Sequence, residues 1–435
     1  MTKTIKIEPV TRLEGHANLT IKLKDDGKLD SVQLNILSTR FFEKFAEGRY
    51  CEHIPRITPR ICGICPIPHH LTPTLAVEDA WGVKVTPTAD KLRRLMMNAK
   101  QYASHILHFY ALAAPDFLYG PFAPVEKRNV VAVINALPDV GKMALEMMDF
   151  GQKICAEIGG KAVHPVAAVV GGMRKPLSEE KRDYFLKQVE TQLGYLIKTV
   201  EIGKKVTTDY MDVVKAAVCP TWYGGVVKKD NEKMHEIFDG KLAFCSPDGK
   251  MSYFDKHDYL KAIAEHVAPH SYATHTYYKP AGYPAGIYRA NTLAMLNTCE
   301  KMQTPLADAA LKEFKSTLGT PSHHTFAYHW ARLIEAVEAL ELIKNLLEDK
   351  DICNTDIKVD VTAKAGEGVG LTEAPRGILL YHITSDADGI CTKLNLLVAT
   401  NHNVAGIEKS VEQVAKAVLE GNLLKSLKLP TPMLK

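Results

Sequence analysis

Apolar and polar residues alternate at both ends of the chain, which is the pattern of half-buried β-strands. Near the start, TIKIEPV, HANLTIKL and LDSVQLNIL each predict a strand, and DDGK at residues 25–28 predicts the turn between the second and third. Near the end, GILLYHITSD and GICTKLNLLVAT flank a turn at residues 386–389 and predict a second hairpin. We therefore expect β structure at both ends of the chain.

The middle of the chain carries apolar residues at helical spacing instead. Residues 90–113, 179–215 and 324–349 each predict a long amphipathic helix. Residues 219–300 are rich in Gly, Pro, Tyr and His, and predict irregular structure or small β elements. The pattern indicates an α+β fold with a central bundle of long helices between N-terminal and C-terminal β elements. No repeat, linker or shift in composition marks a boundary, so we expect a single domain over residues 1–435.

Composition and charge narrow the class of partner. The 435 residues include 54 Lys and Arg against 50 Asp and Glu, which gives a net charge of +4. Nucleic acids and anionic membranes bind concentrated positive charge, so this balance predicts neither partner. No apolar run reaches the roughly 20 residues that span a bilayer, and MTKTIKIEPV lacks the apolar core of a signal peptide. The sequence predicts a cytoplasmic protein without membrane insertion.

Cys62 and Cys65, in RICGICPIPHH, are the only close pair among the nine cysteines of the sequence. An odd, scattered set of cysteines argues against a disulfide framework. Thiolates three residues apart converge on one soft metal where the chain turns, and Gly63 permits such a turn. The spacing alone leaves open a structural metal such as zinc, a redox pair, or two buried cysteines. A closed metal site needs four ligands, and the sequence has no second CxxC.

Six segments, in order, make the chain resemble the large subunits of nickel–iron hydrogenases. They are TRLEGH at residues 11–16, RICGICPIPH at 60–69, SHILHFY with PD at 104–116, GGKAVHP with GG at 159–172, EAPRG at 373–377 and LLVATNHN at 396–403. Together they extend over almost the whole sequence. The resemblance implies a hydrogenase large-subunit fold and the reversible heterolytic cleavage of H₂ at a nickel–iron centre.

In that family four thiolates hold one nickel and one iron, and the iron also carries carbon monoxide and cyanide. By resemblance, Cys62 is a terminal nickel ligand and Cys65 bridges nickel and iron. The resemblance makes Glu14 the carboxylate that passes protons outward, a task suited to a partly desolvated acid. It also places Arg376, next to Pro375, over the site as a hydrogen-bond donor to a cyanide.

Four further positions acquire roles from the resemblance. Thr400 is expected to donate a hydrogen bond to the other cyanide, and His69 to a bridging sulfur. Arg60 belongs to the same motif as the cysteines. Glu43 stands where the family has a carboxylate on a structural magnesium ion, which prefers hard oxygen ligands.

The family's second thiolate pair, in the motif DPCxxCxxH, does not occur in this sequence. One hypothesis is that a separate short polypeptide carrying cysteine or selenocysteine supplies it, as in the split hydrogenases of certain methanogens. A competing hypothesis is an inactive hydrogenase-like electron-transfer or assembly subunit that has lost the metals. A vacated site has no need for the CxxC, Arg60, Glu14 and Arg376 together, which favours the first hypothesis. A zinc-stabilised assembly subunit is a third reading.

The route of the electrons follows from the same resemblance. The chain has too few clustered cysteines to hold an iron–sulfur cluster, so a separate iron–sulfur small subunit is implied. Further iron–sulfur and flavin subunits would pass the electrons to heterodisulfide reductase in methanogenesis. The cofactors expected on this chain are nickel, iron with its carbon monoxide and cyanide, and magnesium.

Overall fold

The computed structural model describes residues 3–120 and 122–420. The sequence after residue 420, where the family would continue toward its second thiolate motif, lies outside the described residues. The strands are β1 Thr4–Ile7, β2 Ala17–Leu23, β3 Leu29–Ile36, β4 Ala168–Val169, β5 Gly172–Met173, β6 Trp222–Val227, β7 Lys241–Cys245, β8 Met251–Phe254, β9 Ile263–His266, β10 His275–Tyr278, β11 Tyr288–Arg289, β12 Gly366–Ala374, β13 Gly377–Ser385 and β14 Cys391–Leu397. The α-helices are α1 Phe42–Ala46, α2 Ile54–Ile57, α3 Pro66–Trp81, α4 Pro87–Leu107, α5 Ala114–Leu118, α6 Val130–Ala136, α7 Pro138–Gly159, α8 Glu179–Asp209, α9 Met211–Ala216, α10 Tyr259–Ala262, α11 Thr292–Thr298, α12 Pro305–Leu318, α13 Tyr328–Glu348 and α14 Asn401–Leu419.

The N-terminal strands form an antiparallel sheet in the order β1-β2-β3, as the sequence pattern predicts. Leu19 pairs with Leu34 across β2 and β3, and both pack against Val404 of α14. The turn between these strands has Gly27 at φ +81°, a conformation that favours glycine. The loop between β1 and β2 carries Glu14, so this sheet anchors one side of the candidate site.

Four long helices, α4, α7, α8 and α13, form the central bundle. Helix α4 packs against both α7 and α13, and α13 packs against α8. The hydroxyl of Thr86 accepts a hydrogen bond from the Ala89 amide at 3.3 Å, and Pro87 occupies the first position of α4. Leu92 and Met96 of α4 are fully buried in the core of the bundle. The predicted bundle of long helices is confirmed.

The ends of the predicted helices differ from the expectation. The predicted helix 90–113 is α-helical only to Leu107 and continues as a π-helix over His108–Ala113. The predicted helix 179–215 divides at Tyr210 into α8 and α9. The Tyr210 ring packs on Phe117 and its hydroxyl donates to the Phe117 carbonyl at 3.2 Å. Tertiary packing of this side chain therefore accompanies the break in a sequence whose helical periodicity continues.

The C-terminal strands form an antiparallel sheet in the order β12-β13-β14, and α3 lies directly on it. A Cβ atom at Gly368 would lie 2.2 Å from the Ala80 nitrogen, and one at Gly370 would lie 2.1 Å from the Thr72 oxygen. Alternate residues of a strand face the same side, so these glycines let the backbone of α3 approach the sheet. Because α3 begins at the CxxC, this packing positions the cysteine pair.

Residues 219–300 form small β elements, as the sequence predicts. The order of the larger sheet is β11-β6-β7-β8, with β11 parallel to β6, and β9 and β10 form a separate hairpin. Helix α14 packs across β3, β10 and β11. Within residues 3–120 and 122–420, none of the helices combines the length and apolar character needed to cross a membrane.

Candidate metal centre

Cys62 and Cys65 lie at the N-terminal end of α3. A 3₁₀ turn over Thr58–Ile61 leads into Cys62, and Cys65 is the residue before the first turn of α3. The structure joins the two Sγ atoms as a disulfide, with the Cα atoms 5.4 Å apart, and the Cys65 amide lies 3.0 Å from Cys62 Sγ. The free N–H groups and the dipole of a helix N-terminus stabilise a thiolate. In the reduced form, this end of α3 therefore favours two anionic sulfur ligands that face one point.

The Glu14 carboxylate lies directly against the cysteine pair. Cys62 Sγ is 3.3 and 3.4 Å from the two carboxylate oxygens, and the Ile64 amide donates to Oε1 at 3.2 Å. Ligand atoms of Glu14, Cys62 and Cys65 all lie within 4.8 Å of one another. Glu14 is exposed on this chain and both cysteines are partly exposed. The partial desolvation expected of Glu14 therefore requires a partner that covers it.

The loop that carries Glu14 is fixed by a cross-link between two of the sequence motifs. Arg12 donates to the Leu112 carbonyl at 3.0 Å and forms an ion pair with Asp116 at the end of the SHILHFY segment. Gly15, next to Glu14, has a φ of +86°, which favours glycine. Arg12 is thus a positioning residue for the carboxylate.

Arg376 lies in the tight turn between β12 and β13. Its guanidinium donates to the Ser104 hydroxyl of α4 at 3.2 Å and to the Pro375 carbonyl at 3.2 Å. Burial lowers the pKa of Arg376 to about 10, and the charges of Glu14 and Glu335 raise it. The structure therefore brings Arg376 within electrostatic reach of the carboxylate that contacts Cys62.

Comparisons with known proteins decide the family. A sequence description of the nickel-dependent hydrogenases matches residues 40–121, and a HoxL-like description matches residues 4–38. A subunit of the vhu F420-non-reducing hydrogenase of Methanocaldococcus jannaschii is 48% identical over 418 residues, which are 96% of this chain and 99% of the relative. The corresponding vhu subunit of Methanococcus voltae is 46% identical over 96% of this chain and 99% of the relative. This chain belongs to the nickel-dependent hydrogenase family.

A solved structure shows the same hydrogenase fold. The crystal structure of an NAD⁺-reducing [NiFe]-hydrogenase in the H₂-reduced state superimposes with a TM-score of 0.92 at 34% identity, over 99% of this chain and 95% of that one. The predicted resemblance to hydrogenase large subunits and the α+β fold are thereby confirmed. The chain is a subunit of an oxidoreductase that acts on hydrogen.

The side chains of this hydrogenase subunit fit half of a four-thiolate nickel–iron centre. Cys62 and Cys65 face one point beside a helix N-terminus, as two soft ligands of a shared metal require. Among the described residues, the group that they form with Glu14 includes no fourth His, Cys, Asp or Glu. Six of the remaining seven cysteines are buried, and Cys51 and Cys391 interact with each other. The other two thiolates therefore have to come from elsewhere.

His69 and Glu43 both lie near the buried Tyr381. His69 Nδ1 is 2.7 Å from the Tyr381 hydroxyl, and burial lowers the pKa of His69 to about 3, so its imidazole is neutral. Glu43 accepts a hydrogen bond from Arg40 at 2.6 Å, and its charge acts on Tyr381. A contact of His69 with a bridging sulfur and of Glu43 with magnesium stay predictions.

Thr400 precedes α14 and is exposed, with its carbonyl accepting from the Asn403 amide at 2.9 Å. The Asn403 side chain in turn donates to the Arg376 carbonyl at 2.9 Å. The Pro375 carbonyl accepts from Arg332 at 3.4 Å. The first turn of α14 and the Arg376 turn are thus tied together, while the hydrogen bond expected from Thr400 to a cyanide stays a prediction.

Arg60 is exposed and lines an open apolar cleft of about 390 Å³. The other residues around the cleft are Phe41, Phe42, Phe45, Arg56 and Ile57. Phe41 and Phe45 are 56% and 41% exposed. The cleft therefore joins residues adjacent in sequence to Glu43 on one side and to the CxxC on the other, and its exposed aromatic surface is typical of an interaction site.

A buried layer of carboxylates and histidines was missed by the sequence analysis. His105 Nε2 lies 3.0 Å from Glu335 Oε2, and both side chains are buried. Burial raises the pKa of Glu335 to about 7, against the charges of His235 and Arg332, and raises that of Glu373 further above its ordinary value. A cavity of about 10 Å³, room for one water, borders Glu335 and His235. In the sequence, Glu335 stands among other charged residues of an amphipathic helix and gives no separate signal.

Proposed function

We propose that this chain is the catalytic subunit of a cytoplasmic nickel–iron hydrogenase of a methanogenic archaeon, which cleaves H₂ reversibly. The observation that carries the proposal is the convergence of Cys62, Cys65 and Glu14 at the N-terminus of α3. The similarity to the vhu subunits, which extends over 96% of this chain, supports the same conclusion. An inactive subunit that had lost its metals would have no use for a carboxylate held against a cysteine by an arginine-anchored loop.

The nickel–iron centre, when bound, supplies the heterolytic cleavage of H₂. On this chain, Cys62 would hold nickel and Cys65 would bridge nickel and iron. Arg376, whose guanidinium is held by Ser104, and Thr400 are the proposed donors to cyanide ligands of the iron, which also carries carbon monoxide. Glu43 is the proposed ligand of a structural magnesium ion.

Glu14 is the proposed proton carrier of the site. A proton on Cys62 Sγ lies 3.3 Å from Glu14 Oε1, within reach of a direct transfer. The Ile64 amide holds Oε1 in place, and the Arg12–Asp116 ion pair holds the loop. Arg376 adds a fixed positive charge that favours the ionised carboxylate, the form that can accept the proton. Because Glu14 is exposed on this chain, the proton next passes to a partner or to water.

The two missing thiolates are proposed to come from a short separate polypeptide that carries cysteine or selenocysteine. The apolar cleft beside Arg60 supports a docking place for it, because a segment lying there would pass both Glu43 and the CxxC. An iron–sulfur small subunit would collect the electrons and further subunits would pass them to heterodisulfide reductase. The vhu relatives are themselves single subunits of larger hydrogenases, which supports a multi-subunit enzyme.

Metal analysis of a cysteine variant tests the proposed function. The purified native complex is expected to contain nickel and iron, with infrared bands of carbon monoxide and cyanide. Cys65→Ser should remove nickel and H₂ uptake because the proposed bridging thiolate is lost. Cys353→Ser, which changes a partly exposed cysteine elsewhere in the chain, is the matched control and should retain both. A Cys65→Ser enzyme that still holds nickel and consumes H₂ would contradict the proposed bridge.

A further inference from the structure

A second cluster of metal-ligating side chains lies away from the CxxC. His270 and His275 flank the start of β10, and Glu408 projects from the middle of α14. One ligand atom from each of the three residues lies within 4.8 Å of the other two. His270 Nε2 is 2.8 Å from Glu408 Oε2, and the two imidazole rings are 5.7 Å apart between their centroids. The three side chains therefore face one small volume.

His275 offers this volume a buried nitrogen that has no partner. The residue is 1% exposed, and its Nε2 has no hydrogen-bond partner within the part of the chain that the structure describes. Its Nδ1 lies 3.4 Å from the Tyr283 hydroxyl, an interaction that leaves Nε2 with the lone pair when Nδ1 carries the proton. Burial lowers the pKa of His275, which favours the neutral imidazole that metals bind. An unpaired buried nitrogen costs stability, and a metal bond would remove that cost.

Glu408 is oriented by the backbone in the way metal-binding carboxylates are. The Leu34 amide of β3 donates to Glu408 Oε2 at 2.8 Å, so the carboxylate position is fixed and Oε1 is left available. The side chains of His270 and Glu408 are 19% and 20% exposed, which leaves an approach from solvent. The group thus combines a built interior with one accessible side.

We propose that His270, His275 and Glu408 form a zinc site, with water as the fourth ligand. Two imidazoles and one carboxylate are a common zinc ligand set. Bonds of about 2.0–2.2 Å place tetrahedral ligands roughly 3.5 Å apart, so the three side chains need to close by about an ångström. The metal would join α14 to β10 and, through the Leu34 amide, to β3. Because Asn403 of α14 holds the Arg376 carbonyl, the zinc would stabilise the element that borders the nickel–iron site.

Zinc content of the native complex, measured by mass spectrometry after dialysis, tests this site independently of the proposed catalytic function. We expect about one zinc per chain in the natural protein. His270→Ala and Glu408→Gln should lose it, and both positions are exposed enough for the chain to fold without their side chains. Glu412→Gln, one turn further along α14, is the matched control and should keep the zinc.

A double variant, Cys62→Ser with Cys65→Ser, separates this zinc from metal held by the cysteines and should also keep it. Binding of Co²⁺ to the dialysed, zinc-depleted complex should give the visible absorption of a tetrahedral site, and Glu408→Gln should abolish that absorption. Natural protein that holds neither zinc nor cobalt would overturn the proposal. So would His270→Ala and Glu408→Gln variants that keep as much zinc as the natural chain.

Discussion

At the scale of single residues, the contact between Cys62 and Glu14 determines how a proton can leave the metal centre. The carboxylate lies close enough to the sulfur that no water is needed between them, and the Ile64 amide fixes one of its oxygens. The Arg12–Asp116 ion pair prevents the loop from turning away. An acid that is positioned in this way contributes through geometry first and through its pKa second.

Glu14→Gln should separate proton transfer from metal binding. The amide has the shape of the carboxylate and can still accept from Ile64, but it cannot carry a proton. We expect nickel to be retained and H₂/D₂O exchange to fall by about 10²–10⁴-fold, the usual contribution of a general acid or base. Glu47→Gln, a nearby surface carboxylate paired with Lys44, is the control and should exchange normally. Unchanged exchange in Glu14→Gln would remove this residue from the proton path.

Glu335 should titrate near neutral pH inside the protein. Its pKa is raised from 4.5 to about 7, so between these values the folded chain holds a proton that the unfolded chain has released. This contribution to stability is complete below pH 4.5 and is lost as the pH rises through about 7. Infrared spectra of the complex should show a carboxylic acid band that fades over this range and is absent in Glu335→Gln. Glu373→Gln should leave that titration in place, and a Glu335→Gln complex with the same fading band would refute the assignment.

At the scale of elements, the row of glycines on β12 explains both how the cysteine pair is held and why the sequence pattern did not show it. GEGVGLTEA has glycine at alternate positions, and glycine is unfavourable in strands, so periodicity predicts no strand there. Helix α3 is buried on nearly every side and therefore has no polar stripe to identify it. The hairpins and long helices were predictable because each has one exposed face, whereas the packing of α3 on β12 is a property of the tertiary structure.

Gly368→Ala should weaken the support of the CxxC. The added Cβ would lie 2.2 Å from the Ala80 nitrogen and 2.3 Å from the Ala76 oxygen, so α3 has to move. Overpacking of this kind costs about 1–3 kcal/mol, and nickel content should fall with the melting temperature. Gly194→Ala, on the exposed face of α8 with nothing within 4 Å of the new atom, should instead be neutral or stabilising. Equal melting temperatures and nickel contents in the two variants would show that α3 does not depend on this contact.

At the scale of the whole molecule, the site is assembled from segments that are far apart in the sequence. Glu14 meets Cys62 across 48 residues, and Arg376 meets Ser104 across 272. The sequence motifs identify these residues through their resemblance to a family, but no spacing in the sequence shows that they meet. The buried Glu335 was missed for the same reason, since its neighbours come from other helices. What the chain does not contribute, within its described residues, is the second half of the thiolate set.

The apolar cleft makes the docking of the missing segment testable. Phe45 is 41% exposed at this cleft, and burying a phenylalanine side chain fully stabilises a contact by about 1.5–3 kcal/mol. Phe45→Glu should therefore weaken the binding of a short thiolate- or selenolate-bearing polypeptide by about tenfold or more. Co-purification of that polypeptide and nickel per complex should fall together, because two thiolates alone leave nickel under-coordinated. Tyr184→Glu, at a 46% exposed aromatic residue of α8, is the control and should change neither. If Phe45→Glu retained both, the segment would have to reach the cysteines by another surface.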